Sequence, residues 1–239
     1  MARHHYDESY REEIELSDGT PVVLRLVRPS DKELLSDGLA CMSMESRYRR
    51  FFSVRKSLGP KELKYLTEFD GENHLAIGAV REHDDGTEEG VGVARFARLD
   101  DRAQAEPAVA VVDDYHRKGL GTQLLQRLAA AAWERNVRWF RFEFLEENEP
   151  VHHLVDSMPG APVRLYHIGH GVVAAEVPVP EIRPGDRTED VMHGTSTHAL
   201  LSHAASGRLS ARMRLGRLVL KHLGDPEESG EPENTEEPA

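Results

Sequence analysis

The chain has 239 residues, a formal net charge of −12 and one cysteine, Cys41. The acidic balance argues against a general nucleic-acid binder, because neutralising phosphates requires clustered lysine and arginine. A single cysteine excludes an internal disulfide and a thiolate metal site, and we predict that the protein holds no metal. No signal-like segment stands near the N-terminus and no apolar run approaches ~20 residues, so we predict a cytoplasmic protein without a membrane span.

The N-terminal segment contains a hairpin signal and a helix start. Residues 1–12 are polar and predict a flexible lead-in. Two alternating runs within 13–27 flank an Asp-Gly turn at 18–19, which is typical of a β-hairpin. The Ser-Asp pair at 30–31 then predicts a helix beginning near Lys32, because such side-chain oxygens accept hydrogen bonds from the first amides.

Two strands are predicted farther along, over 75–80 and 90–99, on either side of an acidic turn. The turn contains His83, Asp84 and Asp85, but its composition fits a surface loop, so no metal is assigned there.

The most informative stretch runs over residues 109–133 and predicts a strand, a basic loop and a helix. Residues 108–112 have the apolar, β-branched composition of a buried strand. Gly119 and Gly121 then open a helix with an apolar face and a polar face. The apolar face carries Leu120, Leu124, Leu125, Leu128 and Ala132, and the polar face carries Gln123, Gln126, Arg127 and Glu134.

The loop before this helix has the properties of a phosphate cradle. The first amides of a helix lack intrahelical partners, and the helix dipole favours an anion there. Glycines let a ligand approach the backbone closely, and Arg117 and Lys118 add positive charge. A P-loop would need G-x-x-x-x-G-K-[ST] and a dinucleotide fold G-x-G-x-x-G, and this stretch has neither. An ordinary βα turn therefore remains the alternative interpretation of the loop alone.

Residues 116–121, His-Arg-Lys-Gly-Leu-Gly, resemble the acetyl-coenzyme A loop of the GNAT superfamily of N-acetyltransferases. The sequence departs from that motif at His116, where Gln or Arg is usual, although an imidazole still offers one N–H donor. Residues 137–145, followed by Asn148, resemble the strand element that comes next in the family. The combined pattern is much more specific than any of its parts.

A second region, residues 43–79, is similar to the acetyltransferase domain of bacterial protein-lysine acetyltransferases. The resemblance implies a GNAT fold over 13–180, with two closing strands within 163–178. This is an α/β fold whose mixed, mostly antiparallel sheet splays at the central strand and carries helices on both faces. The first two helices would form one wall of the acceptor cleft. We interpret Tyr48, Phe51 and Phe52 there as core residues, with direct substrate contact as the alternative.

The resemblance also implies a binding site for acetyl-coenzyme A (acetyl-CoA). We predict contacts along the central strand, the loop and the following strand element, from Val111, Val112, His116, Arg117, Lys118, Gly119, Leu120, Gly121, Thr122 and Asn148. A backbone amide of Val111 or Val112 is the expected donor to the oxyanion of the transition state.

Acyl transfer to an amine requires a base, because a free lysine is almost wholly protonated near neutral pH. Glu106 lies ten residues before His116, the first residue of the loop. In the lysine acetyltransferases that this chain resembles, an acidic residue at this distance before the loop is the general base, which implies that role for Glu106. A strand-edge carboxylate is the alternative. Pro107 cannot donate to a sheet ladder and predicts an edge or a bulge at this point.

The expected function is N-acetyl transfer from acetyl-CoA to an amine, foremost a protein lysine. A small-molecule amine acetyltransferase and a non-catalytic acyl-CoA-binding sensor are the alternatives. The sensor alternative rests on His116, on Pro107 and on a missing tyrosine, since many members use a tyrosine after the Asn148 element as general acid. His152 or His153 could replace it, or both could be surface residues, so no acid is assigned.

The C-terminal part is predicted as three segments. Residues 181–196 form a linker, residues 197–223 a basic amphipathic helix, and residues 224–239 an acidic disordered tail. The helix is expected to pack on its own domain, with docking to a membrane or partner as the alternative. The sequence gives no indication of oligomeric state.

Overall fold

A computed structural model describes residues 4–44, 57–145, 163–169 and 171–182, together with isolated positions from 186 to 199. Eight strands in this described part form one sheet, in the order β1-β2-β3-β4-β5-β6-β8-β7. The strands are β1 (Arg11–Glu15), β2 (Pro21–Leu26), β3 (His74–Glu82), β4 (Glu88–Arg98), β5 (Gln104–Val111), β6 (Trp139–Leu145), β7 (Arg164–Gly169) and β8 (Val172–Pro178). The helices are α1 (Lys32–Ala40), α2 (Pro60–Thr67) and α3 (Leu120–Glu134).

The sheet is mixed and mostly antiparallel, which confirms the fold expected from the sequence. Neighbouring strands pair antiparallel except β5 and β6, which are parallel. A parallel pair needs a crossover connection, and α3 provides it between β5 and β6. The hairpin predicted near Asp18 joins β1 to β2, with Gly19 at a φ of +82°. Among the described residues, no helix is long and apolar enough to cross a membrane.

Helices cover both faces of the sheet, and the two faces differ in composition. One face, here called the α3 face, is closed by an apolar core. Its fully buried side chains include Leu24, Ile77 and Phe96 from the strands and Leu124 and Leu128 from the helix. The opposite face, called the α1–α2 face, carries the buried polar side chains of Arg25, Arg95 and Glu106.

The flexible lead-in expected at residues 1–12 is wrong for the described residues from 4 onward. Tyr6 and Tyr10 are buried in the core cluster beside α3. Arg127 of α3 donates to Glu12 with an Nη2–Oε1 distance of 2.7 Å. Arg127 and Gln126 are both buried, although the helical pattern predicts them on the polar face. The helical periodicity of a sequence predicts which face of a helix is apolar. It cannot predict that a segment distant in the chain will pack against the polar face.

Helix α1 begins at Lys32 as predicted, but Asp31 does not cap it through its side chain. The Asp31 carboxylate instead accepts hydrogen bonds from the Arg25 guanidinium and from the Arg28 amide. Several predicted features lie outside the described residues: the aromatic residues Tyr48, Phe51 and Phe52, the residues Asn148, His152 and His153, and the tail 224–239. Only residues 197–199 of the predicted C-terminal helix are described, and they are helical.

Candidate active site

The sheet opens between its two parallel strands. β5 and β6 pair only at Gln104 with Trp139 and at Ala105 with Phe140. Beyond that point β5 stays paired with β4 as far as Val111, while β6 stays paired with β8. The two strands therefore diverge after Ala105 and leave a fork in the middle of the sheet.

The hydrogen-bond pattern shows which backbone groups face the fork. In an antiparallel pair, alternate residues direct their N–H and C=O groups towards the partner strand. The Val112 amide donates to Val91 at 3.0 Å, and the Gln104 carbonyl accepts from Leu99, so even-numbered positions face β4. Odd-numbered positions face β6, as shown by the Ala103 carbonyl, which accepts from the Trp139 amide.

Pro107, Val109 and Val111 consequently have their backbone edges towards the fork. The amides of Val109 and Val111 point into it, whereas Pro107 has no N–H to offer. The prediction for the Val112 amide is corrected, because that amide is already bonded within the sheet. The predicted bulge at Pro107 is also wrong: the β4–β5 register runs without a shift from Val111 to Ala105. The edge interpretation is right, since β5 is unpaired on its β6 side at this residue.

The loop after β5 leads to an open helix N-terminus. Arg117 and Gly119 adopt left-handed backbone conformations, with φ of 60° and 86°. Helix α3 follows with 15 residues, no side-chain cap and no acidic residue in its first turn. An added Cβ at Gly119 would meet no atom within 4 Å, so the space beside this residue, directly before the helix, is open. This is the geometry that an anion-binding helix terminus requires.

Two of the predicted ligand residues support the loop from within. The His116 ring donates from Nε2 to the Val111 carbonyl at 2.9 Å, which ties the loop to the end of β5. Lys118 lies 2.8 Å from Asp18 on the β1–β2 turn, and the Ser17 amide donates to the Lys118 carbonyl. The Lys118 ammonium lowers the pKa of Asp18 to about 2.

Arg117 differs from Lys118 because it is exposed and forms no ion pair with any residue that the structure describes. Its charge is therefore available to an anion bound at the start of α3. The sequence placed His116, Arg117 and Lys118 together as ligands, whereas the structure separates one exposed cation from two residues that hold the loop.

Glu106 lies where the fork begins. It is the first residue of β5 beyond the pairing with β6, it is 7% exposed, and its side chain is on the α1–α2 face. Tyr65 of α2 lies close enough for the charges of Glu106 and Arg95 to act on it, and burial raises the pKa of its phenol. The structure thus places this carboxylate inside the domain, between the fork and α2.

A cavity that is open to solvent lies on the same face. Its walls are formed by α1, by Arg25, Val27 and Asp31 on and after β2, by Leu58 and Leu66, and by strands β3, β4 and β5. They are mainly apolar, and they include Ala110, Val111 and Val112 at the end of β5. Arg95 is also in the wall, where it is paired with Ala108 of β5. Glu106 is two residues before Ala108 on the same face of the sheet. Arg95 is not among the site residues predicted from the sequence, although an arginine within the apolar strand predicted over 90–99 is a signal of a buried charge.

Comparison with known proteins agrees with this geometry. The model of the acetyltransferase (GNAT) family matches residues 41–158. Acetyltransferase PA5475 of Pseudomonas aeruginosa is 32% identical over 123 residues, which are 52% of this chain and 66% of that protein. Acetyltransferase Pat of Mycolicibacterium smegmatis is 34% identical over 177 residues, 71% of this chain and 49% of that protein. The chain therefore spans about half to two thirds of the length of these curated relatives.

A solved structure shows the same architecture. The crystal structure of the GNAT domain of S. lividans PAT aligns with a TM-score of 0.59 and 26% identity, covering 72% of this chain and 99% of that domain. The family match over residues 41–158 and the shared architecture assign this α/β domain to the acyltransferases. The chain contains an acetyltransferase domain of the GNAT family.

Proposed function

We propose that this domain transfers the acetyl group of acetyl-CoA to an amine, foremost a protein lysine, with Glu106 as the general base. The observation that carries the proposal is the fork after Ala105, which has Glu106 at its start and the Val111 amide near its end. The protein-lysine acceptor is supported by the likeness of residues 43–79 to protein-lysine acetyltransferases and by the identity to Pat.

The binding residues fit an acyl-CoA. Its diphosphate would occupy the open N-terminus of α3, with the Arg117 guanidinium as counter-charge. Its pantetheine arm contains amides, and the Val111 N–H group that faces the fork would bind one of their carbonyls. The bond from His116 to the Val111 carbonyl would hold the end of β5 in the orientation that this binding needs.

The same residues account for the chemistry. An amine attacks a thioester carbonyl only in its neutral form, so Glu106 would take one proton from the ammonium, directly or through one water. The new C–N bond forms as the C–S bond breaks. Val111 lies five residues along an extended strand from Glu106, about 16 Å, which is too far from the base. The Val109 amide, which also faces the fork and lies closer to Glu106, would stabilise the negative charge that develops on the carbonyl oxygen. Burial of Glu106 excludes bulk water from the carboxylate and strengthens its interaction with the amine.

The test is isotope labelling of a cell lysate with labelled acetyl-CoA, using the wild type beside Glu106→Gln. The proposal expects label on specific lysines with the wild type and little with the variant. Label found only on small amines would show that the acceptor is a small-molecule amine and not a protein lysine. Coenzyme A binding with no label from either protein would instead support the sensor alternative.

A further inference from the structure

Two buried arginines lie on the α1–α2 face, and their surroundings differ in charge. Arg25 of β2 is paired with two carboxylates. Its guanidinium donates to Asp31 at 2.7 and 3.1 Å and to Glu88 at 2.8 Å. The Arg25 charge is therefore more than compensated by groups within hydrogen-bonding distance.

Arg95 of β4 has no such compensation. Its side chain is buried, with 4% of the residue exposed, and Nη2 donates only to the Leu66 carbonyl at a long 3.4 Å. Nη1 is buried and has no hydrogen-bond partner among the described residues. Burial lowers the pKa of Arg95 to about 10, so the guanidinium is still positively charged at neutral pH. An unpaired buried cation destabilises a fold, and replacing it with an apolar side chain would relieve that cost.

The position of Arg95 suggests what its charge is for. It forms part of the wall of the apolar cavity that also touches Ala110, Val111 and Val112 at the end of β5. In the proposed function, the thioester lies farther back along β5, between Val109 and Glu106, and Arg95 is paired with Ala108 in that stretch. A short chain attached to either substrate at the reacting centre would extend along the cavity towards Arg95. A guanidinium binds a carboxylate with two parallel hydrogen bonds, as Arg25 does with Asp31 on the same face.

We propose that Arg95 binds a carboxylate that a substrate carries into this cavity. The carboxylate belongs either to a dicarboxylic acyl group on coenzyme A or to a small amine acceptor. A folded protein surface is too bulky to reach a side chain as buried as Arg95. The proposal rests on the proposed function, because that function places the thioester beside the cavity. The carboxylate does not react, and the transfer remains an ordinary acylation of an amine.

The first experiment measures binding and needs no turnover. Calorimetry compares succinyl-CoA with butyryl-CoA, whose acyl chain has the same length and no carboxylate, on the wild type, Arg95→Met and Arg95→Lys. We expect Arg95→Met to weaken succinyl-CoA binding by roughly 10- to 100-fold and to leave butyryl-CoA binding unchanged. Arg95→Lys should recover part of the loss, because it keeps the charge without the planar fork.

The second experiment tests the other source of the carboxylate. Rates of acetyl transfer to γ-aminobutyrate are compared with rates for its amide, in the wild type and in Arg95→Met. A selective loss of kcat/KM for the carboxylate acceptor would assign the site to the acceptor. A selective loss in the binding experiment would assign it to the acyl group. Equal effects of Arg95→Met within both substrate pairs would overturn the proposal.

Two controls separate this inference from folding and from the proposed function. Arg25→Met should lower the melting temperature, because it leaves the carboxylates of Asp31 and Glu88 unpaired. Arg95→Met should raise the melting temperature. Selectivity that persists in Glu106→Gln shows that Arg95 acts in recognition even where the assignment of the base fails.

Discussion

The α3 face and the α1–α2 face of the sheet are built from the same strands but do different work. On β4, Phe96 and Arg95 are neighbours in the chain and are both buried, on opposite faces. Phe96 enters the apolar core under α3, whereas Arg95 lines a cavity. On β5, Pro107 and Glu106 divide in the same way. The α3 face thus supplies stability, and this allows the other face to keep a cavity and buried charges that cost stability.

The largest expected effect is a loss of turnover caused by a substitution on the α1–α2 face. Glu106→Gln keeps the shape of the side chain and removes the proton acceptor, so turnover should fall by roughly 10²–10⁴-fold. Affinity for acetyl-CoA should be nearly unchanged, and the loss should shrink at high pH, where more of the amine is already neutral. Steady-state kinetics across pH beside calorimetry measures this.

The control for Glu106→Gln is Glu12→Gln on the other side of the sheet. Glu12 is bonded to Arg127 of α3, so its replacement should lower stability and leave turnover unchanged. A similar fall in turnover for both variants would show that catalysis does not depend on the α1–α2 face more than on the α3 face.

Next in size is the effect of Phe96→Ala on the α3 face. Phe96 is fully buried, and its truncation should lower the free energy of unfolding by about 3–5 kcal/mol through lost burial and a cavity. Urea denaturation followed by circular dichroism measures the change. Glu15→Ala at the exposed end of β1 should stay within about 0.5 kcal/mol of the wild type. A cost below about 1 kcal/mol for Phe96→Ala would mean that this core contributes less than its burial implies.

Gly121→Glu tests the open helix N-terminus. The new carboxylate is compatible with the α3 dipole, so folding stability should be kept or rise slightly. Affinity for coenzyme A should fall by at least roughly 100-fold, because the carboxylate would face the diphosphate. Gly121→Gln adds a similar volume without charge, and the difference in Kd between the two variants isolates electrostatic repulsion. Equal Kd values for the wild type and Gly121→Glu would show that the diphosphate binds elsewhere.

The smallest effect should come from Asp18→Asn. It removes the counter-charge of Lys118, so affinity for coenzyme A at low salt should rise by roughly 2- to 5-fold. The Lys118 ammonium lowers the pKa of Asp18 to about 2 in the folded state. The pairing therefore stabilises the fold fully above the ordinary pKa of Asp18, and this contribution is lost as the pH falls to about 2. The affinity gain should disappear at high salt. A loss of affinity would show that Asp18 matters for holding the loop rather than for its charge.

The sequence predicted the elements of this domain better than it predicted their surroundings. The strands, the helix after Gly119 and the hairpin follow from local periodicity and turn residues, which need no tertiary information. The buried state of Arg95 depends on α2 packing over β4, and that of Arg127 on residues 4–12. His116 and Lys118 were assigned as ligands from their neighbours in the chain, yet their partners Val111 and Asp18 are fixed only once the loop is folded.

Pro107 has one more consequence, which concerns association between molecules. A fork leaves unpaired N–H and C=O groups on two strands in the middle of a sheet, and such edges invite strand addition from another chain. Proline interrupts that edge, because an added strand would find no donor at this position and would meet the pyrrolidine ring. The edge that remains offers two N–H groups, those of Val109 and Val111. Two donors are enough to bind a small ligand but too few to hold a stable added strand. The proline thus removes one donor from the open edge and shortens the stretch with which another strand could pair.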